Sequence, residues 1–295
     1  MPNQEVSQLA PYAGLILVIS LVAVYLLRCY FEDFFVNRMY GDVYQKLNDK
    51  QRRGFINHHI GATIRMSMLL FAAIPFFSIL TGKATFDTRF GGSNVVTYGD
   101  ILLVLNQVFI ALYLFELIYC AKSSLIADCH HVGTVIIAAI AVFRAVNWEH
   151  HPDANMQFIL SYVWGVFNVI FEFWPQLTII LYRVYANDHK FLSYILLSAT
   201  IIKPISTIVQ TIVVLYVWAY AWDRWTLGFK ILVPIIHFLF TVAQISATKT
   251  FYSMWQRQKQ KLQEKANDVE IGNEPSVVSN DTSDARSNGA GQKSQ

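Results

Sequence analysis

Charge is scarce in this chain. Of 295 residues, 15% are Asp, Glu, Lys or Arg and 54% are hydrophobic, and the mean hydropathy is +0.37. Length alone would allow one or two soluble domains, but a chain so poor in charge reads as an integral membrane protein. Cysteine is scarce as well. Cys29, Cys120 and Cys129 lie in or beside apolar runs and offer no disulfide framework. The net charge is only +3, and no basic stretch is interleaved with aromatics, so nucleic-acid binding has no support. Ahead of the first apolar run the only charged side chain is Glu5. A cleaved signal peptide wants a basic leader, so that run is expected to stay as a helix.

What the chain does have is apolar blocks of membrane-spanning length, about 20 residues each. Seven are legible, at roughly 11–31, 60–80, 100–120, 123–143, 156–182, 191–221 and 227–255. Only helices and closed barrels satisfy their backbone in lipid, so all seven are expected to be helices. Pro75, Pro175, Pro204 and Pro234 fall inside blocks, where kinks are expected.

Basic residues set the direction. The first connection holds Arg38, Lys46, Lys50, Arg52 and Arg53, and the segment after the last block holds Arg257, Lys259, Lys261 and Lys265. An odd number of spans puts both on one side, which the positive-inside rule makes cytosolic. The N-terminus is then lumenal or extracellular. Three regions follow: 1–39 with the first span, 40–256 as a six-helix domain, and 257–295 as a basic and then polar tail. Past about Lys265 the tail lacks the apolar residues needed to fold and is expected to be disordered. Its Asn280-Asp281-Thr282 sequon is expected to go unused on the cytosolic side.

Several blocks carry polar residues at helical spacing. The third has Asn106, Tyr113 and Glu116, and the fifth has Asn168, Glu172, Gln176 and Arg183. The sixth has Thr200, Lys203, Thr207 and Gln210, and the seventh has His237, Thr241, Gln244 and Thr248. Steps of three, four and seven place each set on one face. Facing lipid, Asp128, Lys203, Glu116 and Glu172 would together cost on the order of 10 kcal/mol. They are expected to face a common interior instead, in two layers. One is a cytosol-side cluster of Glu116, Asp128 and His131, and the other is a deeper Glu172–Lys203 pair. Polar contacts that merely glue helices together are the plain alternative.

Six of the eight histidines are adjacent pairs: His58-His59, His130-His131 and His150-His151. Neighbours on a helix point about 100° apart, and metal-binding helices use i, i+3 or i, i+4 spacing. No such spacing occurs here, so no metal site is expected. His58-His59 reads as an interfacial pair, and His150-His151-Pro152-Asp153 as an exposed turn. His130-His131 sits where a span begins, with Asp128 three residues before His131 and Thr134 three after. Acid, imidazole and hydroxyl then share a helical face, an arrangement suited to a general base or to holding a polar headgroup. Lys203 as a Schiff-base lysine is disfavoured by Glu172 at similar depth.

The segment Tyr113-Leu114-Phe115-Glu116-Leu117-Ile118-Tyr119 is followed, after a short link, by His130-His131-Val132-Gly133-Thr134. Asn168 and Glu172 come later, with Phe173-Trp174-Pro175 and Leu181-Tyr182-Arg183-Val184-Tyr185. Across about residues 40–255 the chain resembles the TLC family, which takes in translocation-associated membrane proteins and ceramide synthases. The resemblance implies an endoplasmic-reticulum protein, all-α, with a six-helix TLC bundle preceded by one extra helix and a cavity for a lipid chain. In ceramide synthases the histidine pair belongs to the acyl-transfer site, which maps onto His130 and His131. Those enzymes follow the pair with an aspartate-rich stretch, where this chain offers Asn168 and Glu172.

Two functional classes follow. One is an enzyme of sphingolipid or acyl-chain lipid metabolism, a ceramide synthase-like N-acyltransferase. In it His131 is the base, oriented by Asp128 and assisted by His130. The other is a non-catalytic lipid-binding, lipid-trafficking or translocation-accessory protein. In both, Glu116, Thr134, Asn168, Glu172, Lys203, His237 and Gln244 are expected to line the ligand site. The expected partner is a membrane lipid, joined by acyl-CoA in the enzyme. No cofactor is called for, and homo-oligomerisation is left open.

Overall fold

A run of aliphatic and aromatic side chains with its backbone in lipid has one economical solution, the helix. The computed structural model describes residues 5–120, 125–151 and 153–272, and it is helical nearly throughout. Seven helices are long and apolar enough to cross a membrane. They are α1 (Ala13–Tyr30), α2 (Asp49–Leu80), α3 (Tyr98–Tyr119), α4 (Leu125–Val146), α5 (Ala154–Val184), α6 (His189–Tyr220) and α7 (Leu227–Gly272). Among the described residues there is no strand, only one isolated bridge between Arg89 and Thr97 in the α2–α3 connection. The four prolines named above lie inside α2, α5, α6 and α7, and each helix continues through its proline.

Local chemistry starts these helices. Asn48 and Gln51 form a reciprocal capping box at the head of α2, and Thr97 and Asp100 form another at α3. The Asp188 side chain accepts from the Phe191 N–H at α6. Some boundaries differ from the hydropathy blocks. α1 runs into a π-helical turn at Phe31–Phe35 and a further turn at Val36–Tyr40. Arg28 and Glu32 pair across one helical turn there, and the Arg28 guanidinium lies 5.3 Å from the Tyr119 ring. α2 starts well before its apolar stretch, on a charged extension. α7 stays helical to Gly272, beyond the point where a disordered tail is expected. The Asn280 sequon and the rest of the tail fall outside the described residues, as does Pro152.

Six helices pack in a ring in the order α2, α3, α4, α7, α6, α5 and back to α2, and α4 also packs against α5 across it. α1 packs outside it, mainly against α3. The α6–α7 pair is stitched by the Trp255 indole donating to Ser193 (3.2 Å) and by His189 bonded to Gln258 (2.8 Å). That second bond pins the basic end of α7 to the start of α6.

The two ends of the ring differ. One carries the 41–48 connection, the turn at 185–188 and the basic end of α7; it is called the basic face below. On the opposite face, buried Asp153 gathers three connections. It pairs with Arg144 (3.4 Å) and accepts from the Gln157 amide (2.6 Å) and from the Thr226 N–H (3.4 Å). The turn at His150-His151 is therefore only partly exposed: His150 faces out, while Asp153 is a buried clamp. The N-terminal segment is fastened at the same end, where Ser7 donates to Asp100 (2.6 Å). A side chain at Gly99 would run into the Val6 carbonyl, so only glycine permits this approach. The three cysteines are free thiols, and burial pushes that of Cys120, just past α3, up to about 11.

Candidate intramembrane site

Inside the ring, in its basic-face half, lies a cavity of about 410 Å³. Every wall helix contributes polar groups. α2 gives Asn57, His58 and Arg65; α3 gives Tyr113 and Glu116; α4 gives His130 and His131. α5 gives Asn168, Glu172 and Gln176, while Lys203 and Gln244 come from α6 and α7. Each stripe read from sequence thus sends at least one residue to this chamber, while Thr207, Thr241 and Thr248 of the last two stripes line a separate groove between α6 and α7. The two expected layers are its two ends rather than separate sites.

At one end the His131 Nε2 lies 3.4 Å from a Glu116 oxygen, and the Tyr113 ring stacks edge-on to the imidazole with centroids 4.8 Å apart. Arg65 lies 3.8 Å from the other Glu116 oxygen. The carboxylate is thus shared between a histidine and a guanidinium. At the other end Lys203 donates to Glu172 (2.5 Å) and to Gln244 (2.8 Å). That pair is complete, as a buried ion pair must be to offset its desolvation. Several buried atoms of chamber-lining side chains have no hydrogen-bond partner: Asn57 Oδ1, His58 Nδ1, Arg65 Nη1, His130 Nδ1, Asn168 Oδ1 and Gln176 Oε1. Buried polar groups are ordinarily bonded, and the chamber these atoms face has room for a polar ligand or for water to bond them.

Two of these side chains pass close over Gly61. A Cβ there would lie 2.8 Å from the Gln176 Nε2 and 2.7 Å from Arg65 Nη1. With glycine, both side chains cross the face of α2 and reach the chamber.

Three sequence expectations need correction. Asp128 acts on His131 from off the chamber wall, and the carboxylate that meets the His131 Nε2 is Glu116, which comes from the neighbouring helix. Thr134 donates to the His130 carbonyl of its own helix (2.9 Å), so its hydroxyl does not serve an imidazole. It borders a smaller adjoining space instead. His237 bonds Thr211 between α7 and α6 (3.0 Å), away from the chamber.

The reading of α2 also changes. His59 does not face outward: it is buried and bonded to the Phe55 carbonyl (2.8 Å) and the Tyr40 hydroxyl (2.9 Å). His58 and Arg65 face the ligand space. Their signal was present, since His58, Gly61 and Arg65 follow the same i, i+3, i+7 stripe used on the other spans. Among the described residues, no three His, Cys, Asp or Glu side chains come together as a metal-ligating group. Comparison with known proteins returned no matching family model, no similar curated protein and no similar solved structure.

Proposed function

We propose that this chain is a TLC-type multi-pass membrane protein that acts on sphingolipid or acyl-chain lipids, with the polar end of its ligand held in the chamber at His131. The observation that carries the reading is the chamber itself: open buried hydrogen-bonding atoms and a His131–Glu116 pair, enclosed by helices of membrane-spanning length. Ionisable groups at such depth are costly and mark ligand or ion sites. The TLC-like residues Tyr113, Glu116, His130, His131, Asn168 and Glu172 all stand on its walls. Arg65, which leans on Tyr113, shares the Glu116 carboxylate and keeps Nε and Nη1 without hydrogen-bond partners, is suited to a headgroup that presents acceptor oxygens. The same reading sets the protein in the endoplasmic-reticulum membrane, with its basic face to the cytosol and its N-terminus in the lumen.

As an enzyme it would be a ceramide synthase-like N-acyltransferase. With Nε2 of His131 turned to Glu116, Nδ1 is the nitrogen left to accept a proton. It takes the proton of an attacking amine as the acyl bond forms, then returns it to the departing thiolate of acyl-CoA. A second reading, lipid binding or trafficking without chemistry, is favoured by the Lys203–Glu172–Gln244 cluster, whose groups are all engaged with one another.

Acyl-CoA turnover and bound-lipid content of the purified full chain separate these. For an enzyme, His131→Ala lowers turnover by about 100-fold or more, and Glu116→Gln follows it. Asp128→Asn lowers turnover less than Glu116→Gln does, as expected for a carboxylate that acts on His131 from off the chamber wall. Absent turnover with lipid content that falls in the same variants supports the binding reading. Turnover and lipid content that both ignore His131→Ala overturn the proposal.

A further inference from the structure

We infer that the chamber continues into a narrow passage that leads the ligand's hydrocarbon tail past Gly165 and into the bilayer between α2 and α5. The ligand is accordingly a single-chain amphiphile. This rests on the lipid reading above and adds where the tail goes.

The route is drawn by shared walls. His130, Asn168 and Gln244, on the chamber wall, also border a smaller space of about 20 Å³. The rest of that space is mostly apolar, with Ile137, Ala138 and Phe240 among its walls. Phe109, Ser161 and Gly165 border it in turn, and the same three residues border a third space of about 30 Å³ between α2 and α5. The inner walls of that third space, such as Met68, Ala72 and Val169, are buried, while Leu69, Phe77 and Ile170 at its rim are exposed on the outer surface. Polarity therefore falls along the route, from ion pairs and amides at one end to hydrocarbon at the other. An amphiphile needs that gradient.

Space selects the guest. A single water needs about 10–15 Å³ of such space, so segments of about 20 and 30 Å³ have little room beyond a single chain. Length is compatible with a long tail. Arg65 and Phe77 are 12 residues apart on α2, about 18 Å at ~1.5 Å per residue. The mouth lies near the end of α2 remote from the basic face. Gly165 is the control point. Nothing lies within 4 Å of where its Cβ would stand, so a larger side chain grows into the passage rather than into a wall. The other apolar groove, about 440 Å³ between α6 and α7 around Pro204, Ile208 and Ile245, shares no lining residue with the chamber.

The test uses the full-length protein in phosphatidylcholine nanodiscs and two photoactivatable palmitates, one with its diazirine near the carboxylate and one with it near the terminal methyl. Cross-links are mapped by mass spectrometry. The head-end probe is expected on chamber residues of α4 and α5, and the tail-end probe at residues 68–77 and 165–170. Gly165→Phe is expected to cut tail-end labelling by about tenfold, whereas a head-end octanoate probe still labels the chamber. Gly165→Ala is expected to label like wild type, which separates blocking from misfolding. Tail-end cross-links on residues 204–212, or unchanged labelling in Gly165→Phe, overturn the passage and leave the chamber reading intact. No head-end labelling in the chamber overturns the functional reading itself.

Discussion

At the scale of residues, the site is governed by how each buried charge is matched. Lys203 and Glu172 satisfy one another with help from Gln244, whereas Arg65 and His131 divide a single carboxylate at Glu116. Removing one partner of a buried pair leaves an uncompensated charge and costs about 3–5 kcal/mol. Glu172→Gln and Lys203→Met are each expected to lower stability by about that much, read from thermal unfolding in detergent. The double substitution to methionine is expected to cost less than either single change, because no charge is stranded. Additive losses would contradict the pairing. This pair was legible in the sequence, since both residues fall at similar depth in long apolar blocks. The grouping of Glu116 with His131 was legible from depth as well, but not that Glu116 rather than Asp128 meets the imidazole nitrogen. Asp128 has the helical spacing, but Glu116 approaches from another helix, and spacing along one chain carries no distance between two helices. Gly61 was likewise silent until Gln176 and Arg65 were seen crossing it.

At the scale of elements, stability is concentrated where helix ends meet. Asp153 ties the α4–α5 connection to the start of α5 and to the head of α7. Asp153→Ala removes three bonds to a buried carboxylate and is expected to cost about 2–4 kcal/mol. The clamp lies on the face opposite the chamber, so lipid retention below the melting transition should match wild type. An unchanged melting temperature would show that the clamp contributes nothing. Element identity was legible because lipid forces every apolar block into a helix. Boundaries were less so. Helix α2 begins at Asp49, 11 residues before its apolar block, because a capping box at Asn48 and Gln51 starts it among charged residues. Helix α7 continues to Gly272 through a polar stretch, since hydropathy reports the membrane and not the length of the helix.

At the scale of the molecule, six helices form a ring with a polar chamber toward one face and an extra helix on its outside. The count of spans and the convergence of polar stripes could be read from the chain. The connection from polar chamber to apolar passage could not, because it depends on small residues such as Gly165 and Ser161 leaving space where helices cross. The account stands on that chamber holding the polar end of a lipid. Native mass spectrometry of the full-length protein released from detergent tests this most directly. The wild-type chain is expected to carry one tightly retained lipid, and an Arg65→Met, His131→Ala variant is expected to lose it while keeping its helical circular dichroism. A wild-type chain that flies free of lipid, or a variant that retains the same lipid, would contradict the account.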